Sequence, residues 1–172
     1  RQRYSPRFSL TAESGKTRGD LLADGYCFFN GTIKLTADLN IPEIQKLAKY
    51  FLQIENLETV LSEIEINNKA AGYIAWKPYR IDITDLVWKG ENRIAVSLTN
   101  SLRNLMGEIH FIPQAESKFT SQWSLKVTPR LADGPDWFEK RTKEKLKSWC
   151  DDYFFRPFGV GGNILITCEQ FT

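Results

Sequence analysis

Across residues 63–111 apolar and polar positions alternate with the period of an extended strand. Ile64 and Ile66 alternate with Glu63 and Glu65, and a second apolar run follows through Tyr73, Ile74 and Trp76. Asn67-Asn68-Lys69 lies between them; asparagine tolerates positive φ, so this pair predicts a hairpin turn. After Pro78, a short run at 79–83 leads into a turn-like segment at 84–87. Residues 89–92 break the chain, and beyond them Ile94, Val96 and Leu98 alternate with Arg93, Ala95, Ser97 and Thr99, the mark of a half-buried strand.

The same reading extends along the chain. Residues 26–29 and 32–39, with Asn30-Gly31 between them, predict strand, turn and strand. Residues 46–55 carry two periods: Leu47, Tyr50, Phe51 and Ile54 at helical spacing, and Ala48, Tyr50, Leu52 and Ile54 at period two. The β-rich context selects the strand, and 57–67 follows as the next one. Further on, 113–118 reads as loop, 119–127 as a strand with Trp123, Leu125 and Val127 on one face, and 129–135 as loop. Residues 136–147 carry a helical pattern that Asp136 can cap, with Trp137, Phe138, Leu146 and Trp149 in a charged background. Residues 152–158 and 163–171 supply two last strands, Pro157 placing the first at an edge or an end. The sum is about nine or ten strands and one helix, which fits a two-sheet jelly roll.

Within the central stretch stand, in order, Asn67, Gly72, Trp76-Lys77-Pro78-Tyr79, Asp82-Ile83-Thr84-Asp85-Leu86, and Gly90, Asn92, Ile94 and Val96. This order resembles the galactose-binding-like β-sandwich domains attached to glycoside hydrolases, including the sugar-binding domain of family 2 glycosidases and modules of bacterial α-L-rhamnosidases. Residues 100–105, Gly107 and His110 are similar to the large gut-bacterial versions, and residues 28–33 to the opening of such modules. The resemblance implies an all-β, two-sheet jelly-roll β-sandwich (galactose-binding-like) with one peripheral helix near 136–148. Residues 1–24 are then a polar lead-in or linker, and 25–172 the domain. Fold is implied more strongly than function.

Composition limits the partners. The 172 residues suit a single domain, and 42% apolar with 26% charged residues is an ordinary globular balance. A net charge of +2 excludes the electrostatic footprint of a nucleic-acid binder, and no apolar run is long enough to span a bilayer. The chain opens on Arg1 without an initiator Met, as a fragment of a longer polypeptide would. Localisation stays open, the resemblance favouring a secreted or periplasmic bacterial enzyme over a cytoplasmic one. Cys27, Cys150 and Cys168 lack C-x-x-C spacing and accompany a single histidine, which argues against a zinc cage. Their apolar neighbours predict buried thiols, with one disulfide still open.

No catalytic constellation emerges. A glycosidase needs two carboxylates flanking the scissile bond. Glu63 and Glu65 share a solvent-facing strand row; Asp82 and Asp85 are a more tempting pair, but Asp and Thr at a strand end fix a turn through hydrogen bonds to nearby backbone N–H groups. Asp151-Asp152 reads as a loop pair. His110 has no nucleophile in a recognisable setting, and residues 159–162 lack the Lys-Ser/Thr of a phosphate loop and read as a turn.

Binding fits better. Sugar rings stack on aromatic side chains while their hydroxyls pair with Arg, Asn, Asp and Glu. The first such concentration is Trp76, Tyr79 and Arg80, flanked by Lys77 and stiffened by Pro78. The second is Arg103, Asn104, Glu108 and His110. Both groups have structural alternatives: core or edge packing for the first, loop bracing or docking on a neighbouring domain for the second. Trp88, Trp123 and Trp149 read as packing residues. Domains of the resembled class often carry a structural calcium, which stays open although no Asp/Asn-rich loop stands out; no other cofactor is expected. Two functions compete for this non-catalytic accessory domain. It binds carbohydrate for the enzyme, or it packs on the catalytic domain of the same polypeptide and supports it.

Overall fold

A computed structural model describes residues 2–5, 7–9, 12, 15–107, 109–110 and 149–170. The predicted helix at 136–148, the strand at 119–127, Glu108 and Trp123 lie outside these residues. The chain forms two compact units, one of Arg1–Glu13 and Arg103–Arg156, the other of Ser14–Leu102 and Pro157–Thr172.

The second unit holds seven strands in two antiparallel sheets. They are β2 (Thr32–Ile41), β3 (Ala48–Glu58), β4 (Leu61–Ile66), β5 (Lys69–Ile74), β6 (Arg80–Asp82), β7 (Gly90–Thr99) and β9 (Gly159–Gln170). One sheet has the order β2-β7-β4-β5, the other β6-β3-β9. One apolar core joins them, with Leu52 and Ile54 from β3, Ile64 and Ile66 from β4, and Val96 and Leu98 from β7. The chain is thus all-β and sandwich-like. The period-two reading of β3 holds because Tyr50, Leu52 and Ile54 are all buried, whereas Leu47 of the competing helical set is 89% exposed.

Local chemistry explains the joints. Asn67 and Asn68 take φ of 54° and 63°, the paired positive values of a type I′ hairpin, as the sequence predicted. Between β3 and β4 the chain crosses from one sheet to the other at Thr59-Val60. There the Thr59 hydroxyl and the Val60 N–H both donate to the Thr99 carbonyl, at 2.6 and 3.1 Å. This crossing splits the strand expected at 57–67. No strand forms at 26–29 either. Asp20 Oδ1 accepts from the N–H groups of Leu22 and Ala23, the Tyr26 N–H returns to the Leu21 carbonyl, and Gly25 takes φ of 98°. The resulting turn buries Leu21, Leu22 and Cys27 and touches the start of β9 through one bridge between Asp20 and Gly159, where the Leu21 N–H donates to the Phe158 carbonyl. Leu21 and Leu22 fall within the stretch read as polar lead-in.

The glycine-rich 159–162 segment is not a turn but the start of β9, where it pairs with residues 56–58 of β3. The register slips between Ile54 and Asn56; Gly162 supplies φ of 84° and the Asn163 N–H donates to Glu55 Oε2 at 2.8 Å. Such a slip with a positive-φ glycine is a β-bulge.

In the first unit β1 (Gln2–Tyr4) pairs antiparallel with β8 (Tyr153–Phe155), and a single helical turn, α1, spans Arg103–Met106. A tilted ring contact links Tyr4 to Phe155, a stacked one Tyr153 to Phe155, and an edge-to-face one Phe8 to Tyr153. All three cysteines are free thiols: Cys27 is buried, Cys150 half-buried and Cys168 exposed. Cys168 therefore departs from the buried-thiol expectation. It sits on β9, with its Sγ 3.5 Å from Gln45 Oε1.

Candidate functional site

The chain leaves the four-stranded sheet at Ile74, whose side chain is buried, and re-enters the three-stranded sheet at Arg80. The segment between them is fixed from below: the Tyr79 carbonyl accepts from the Ile54 N–H at 2.9 Å, and the Tyr79 ring packs against the core. The Lys77–Pro78 peptide is cis. Held at both ends, the crossing presents Trp76 outward with 78% of its surface exposed.

Beside it opens a cleft of about 470 Å³ lined by Leu61, Tyr73, Ile74, Trp76, Pro78 and Arg80, together with Ala75. That volume is within the range of small-molecule sites. Tyr73 stands at its rim, 65% exposed, with its hydroxyl 3.4 Å from Glu63 Oε1. Arg80 forms the polar wall. Its guanidinium lies 3.6 Å from the centre of the Phe51 ring, and Nη2 is 2.5 Å from Glu169 Oε1. Aromatic faces and a paired guanidinium in one concavity are what a sugar ring with apolar faces and equatorial hydroxyls requires.

Of the first predicted group, Trp76 and Arg80 therefore line one cleft. Tyr79 is half-buried and supports the crossing, with the Lys77 ammonium 5.8 Å from the centre of its ring. Sequence reading missed Tyr73 and Leu61. The alternation of β5 would have placed Tyr73 on the outer face, but its closeness to Trp76 depends on the chain bending at residues 75–79. The second predicted group belongs to the other unit. Arg103 is exposed at the start of α1 and its carbonyl accepts from the Gly107 N–H. Asn104 is buried, its amide donating to the Arg156 carbonyl and accepting from the Arg156 N–H, both at 2.8 Å. His110 lies between rings, 4.3 Å from Tyr153 and 5.7 Å from Trp149 by their centres.

The remaining motif residues are occupied in holding the fold. Asp82 Oδ1 accepts from both the N–H and the hydroxyl of Thr84, at 3.0 and 2.6 Å, and these bonds hold its carboxyl below the usual carboxylate range. The Thr84 hydroxyl oxygen in turn accepts from the Tyr50 N–H. Glu65 pairs with Lys34 at 2.6 Å across the outer face of the sheet. Asn92, 1% exposed, is the hub of the 88–93 turn. Its amide nitrogen donates to the carbonyls of Trp88 and Gly90, and its oxygen accepts from the Trp88 N–H and from Asn67. Trp88 uses its indole N–H on the Glu91 carbonyl. Among the described residues no group of three or more His, Cys, Asp or Glu is arranged to hold a metal ion, and no helix is long and apolar enough to cross a membrane.

No protein-family profile matches the chain. It is 28% identical, over 124 residues, to a protein of Formosa agariphila named "Putative beta-glucuronidase"; the match takes in 70% of this chain and 10% of that protein. Its fold is shared with the rhamnosidase of Novosphingobium sp. PP1Y, at a TM-score of 0.52 and 17% identity over 83% of this chain and 11% of the enzyme. A β-glucuronidase of glycoside hydrolase family 2 aligns at 26% identity and a TM-score of 0.38, over 42% of this chain and 8% of that one. The chain thus shares an all-β, sandwich-like fold with a small part of a glycoside hydrolase. It spans about a tenth of the length of the curated relative it matches.

Proposed function

We propose that this chain is a non-catalytic, carbohydrate-binding accessory domain of a larger glycoside hydrolase, with the glycan held in the Trp76 cleft. The exposure of Trp76 beside a concavity carries the reading. An indole left 78% exposed at the mouth of a concavity offers a platform for a ligand's apolar face. Arg80 and the Tyr73 hydroxyl supply hydrogen bonds at the rim. Arg103, Asn104 and His110 are a separate candidate contact in the other unit, where Asn104 braces the backbone and His110 stands among rings.

The test is a glycan array probed with the 172-residue chain and with Trp76→Ala. The expected result is a specific signal that falls at least about tenfold in the variant, equivalent to about 1.4 kcal/mol, while the circular dichroism spectrum stays unchanged. A folded chain that binds no glycan, or a variant that binds as well as the parent, overturns the reading. The apolar lining of the cleft by Leu61, Ile74 and Pro78 favours the second reading, a domain that seats a segment of its catalytic partner there and supports it. That reading gains if the array is silent and the chain binds the rest of the enzyme.

A further inference from the structure

Among the described residues lining the cleft, Arg80 carries the one formal charge; Glu169 stands against its Nη2, while its buried Nε has no hydrogen-bond partner. The strand register explains how the pair meets. Arg80 on β6 lies opposite Gln53 of β3, and Glu169 on β9 lies opposite Lys49 of the same strand. Arg80 and Glu169 therefore reach toward each other across the outer face of the three-stranded sheet and close over the Phe51 ring. Both members are partly open to solvent, with side chains 31% and 45% exposed. A ligand entering the cleft meets one cation held by a carboxylate.

Resting on the glycan reading above, we propose that Glu169 makes this cleft select uncharged sugar residues against uronic acids. A sugar hydroxyl accepts a hydrogen bond from a guanidinium without displacing its partner. A uronate carboxylate, ionised at neutral pH, needs the planar guanidinium fork to itself. Here it would have to compete with Glu169 for Nη2 and would be repelled by its charge. Like charges brought together in this way reject a ligand more effectively than a missing contact does. Glu169 is thus a specificity residue that acts through Arg80. It lies outside the stretch whose motifs define the cleft, so only the sheet brings it there.

The experiment uses the 172-residue chain, Glu169→Gln and Glu169→Asp, on an array of matched β-glucosides and β-galactosides against β-glucuronides and β-galacturonides. The parent is expected to bind the neutral series at least about tenfold more strongly. Glu169→Gln is expected to raise the uronate signal several-fold with the neutral signal held, and 0.5 M salt to remove that gain because it is electrostatic. Glu169→Asp, which keeps the charge, is expected to keep the neutral preference. A parent that binds uronates as well as neutral sugars, or a folded Glu169→Gln variant that gains nothing on uronates, overturns the inference and leaves the glycan reading standing. Silence across both series overturns both.

Discussion

Replacing Asn92 by alanine removes a side chain whose amide makes four hydrogen bonds, between 2.7 and 3.0 Å long. The deletion strands the Trp88 N–H, the carbonyls of Trp88 and Gly90, and half of the Asn67 amide. Each intramolecular bond contributes about 1 kcal/mol net, so the four together amount to about 4 kcal/mol. Water reaching the Trp88 side, where the indole is 49% exposed, recovers part of that. The expected loss is about 3 kcal/mol, a large share of the 5–15 kcal/mol typical of whole domains. With a urea slope of about 2 kcal/mol/M, the midpoint falls by about 1.5 M. Asn92→Asp loses both donors and sets a buried carboxylate oxygen against the Trp88 and Gly90 carbonyls, so it is expected to destabilise at least as much as alanine. Asn67, which also donates to the Leu86 carbonyl and accepts from the Arg93 N–H, shares one bond with Asn92. The Asn67→Ala/Asn92→Ala cycle should therefore show a coupling of about 1 kcal/mol. Urea unfolding followed by tryptophan fluorescence measures all four chains. A loss below about 0.5 kcal/mol for Asn92→Ala, or strict additivity in the cycle, would refute the assignment of this asparagine as the hub of the turn.

Two further outcomes follow from the geometry. The Asp82 carboxyl is held below its unfolded value by Thr84, so its contribution is complete above the usual carboxylate range and is lost as pH falls through the lowered folded value. Asp82→Asn should flatten that acid limb in urea midpoints measured from neutral pH down to about 3, and an unchanged limb would count against the bond. Gly159, at φ of 134°, would place an added Cβ 1.9 Å from the Gly19 carbonyl oxygen. Gly159→Ala therefore combines backbone strain with overpacking, and should cost about 3 kcal/mol and lower the melting temperature by roughly 6–12 °C; a shift under about 2 °C would show that the close approach relaxes freely.

The sequence by itself determined the strands whose periodicity is local. β4 and β5 announce themselves because one face of each is apolar, and the Asn67-Asn68 hairpin because few residue types accept its positive φ. The alternation in β7 predicted a half-buried strand, but Ala95 and Ser97 are buried as well as Ile94, Val96 and Leu98, since they are small enough to be covered on the second face. The sequence also determined that Asp82 and Thr84 fix a turn, since their bonds join residues two apart. Tertiary structure alone decided where an apolar run is divided between sheets, as at Thr59-Val60, and that Tyr26 and Phe29 pack from a turn instead of a strand. Burial is satisfied by either backbone, and long-range hydrogen bonds make the choice. The cleft divides in the same way. The types of Trp76 and Arg80 are legible in order along the chain. Their meeting with Leu61 and Tyr73, and the pairing of Arg80 with Glu169, exist only because two sheets and one crossing bring sequence-distant side chains to the same few ångströms.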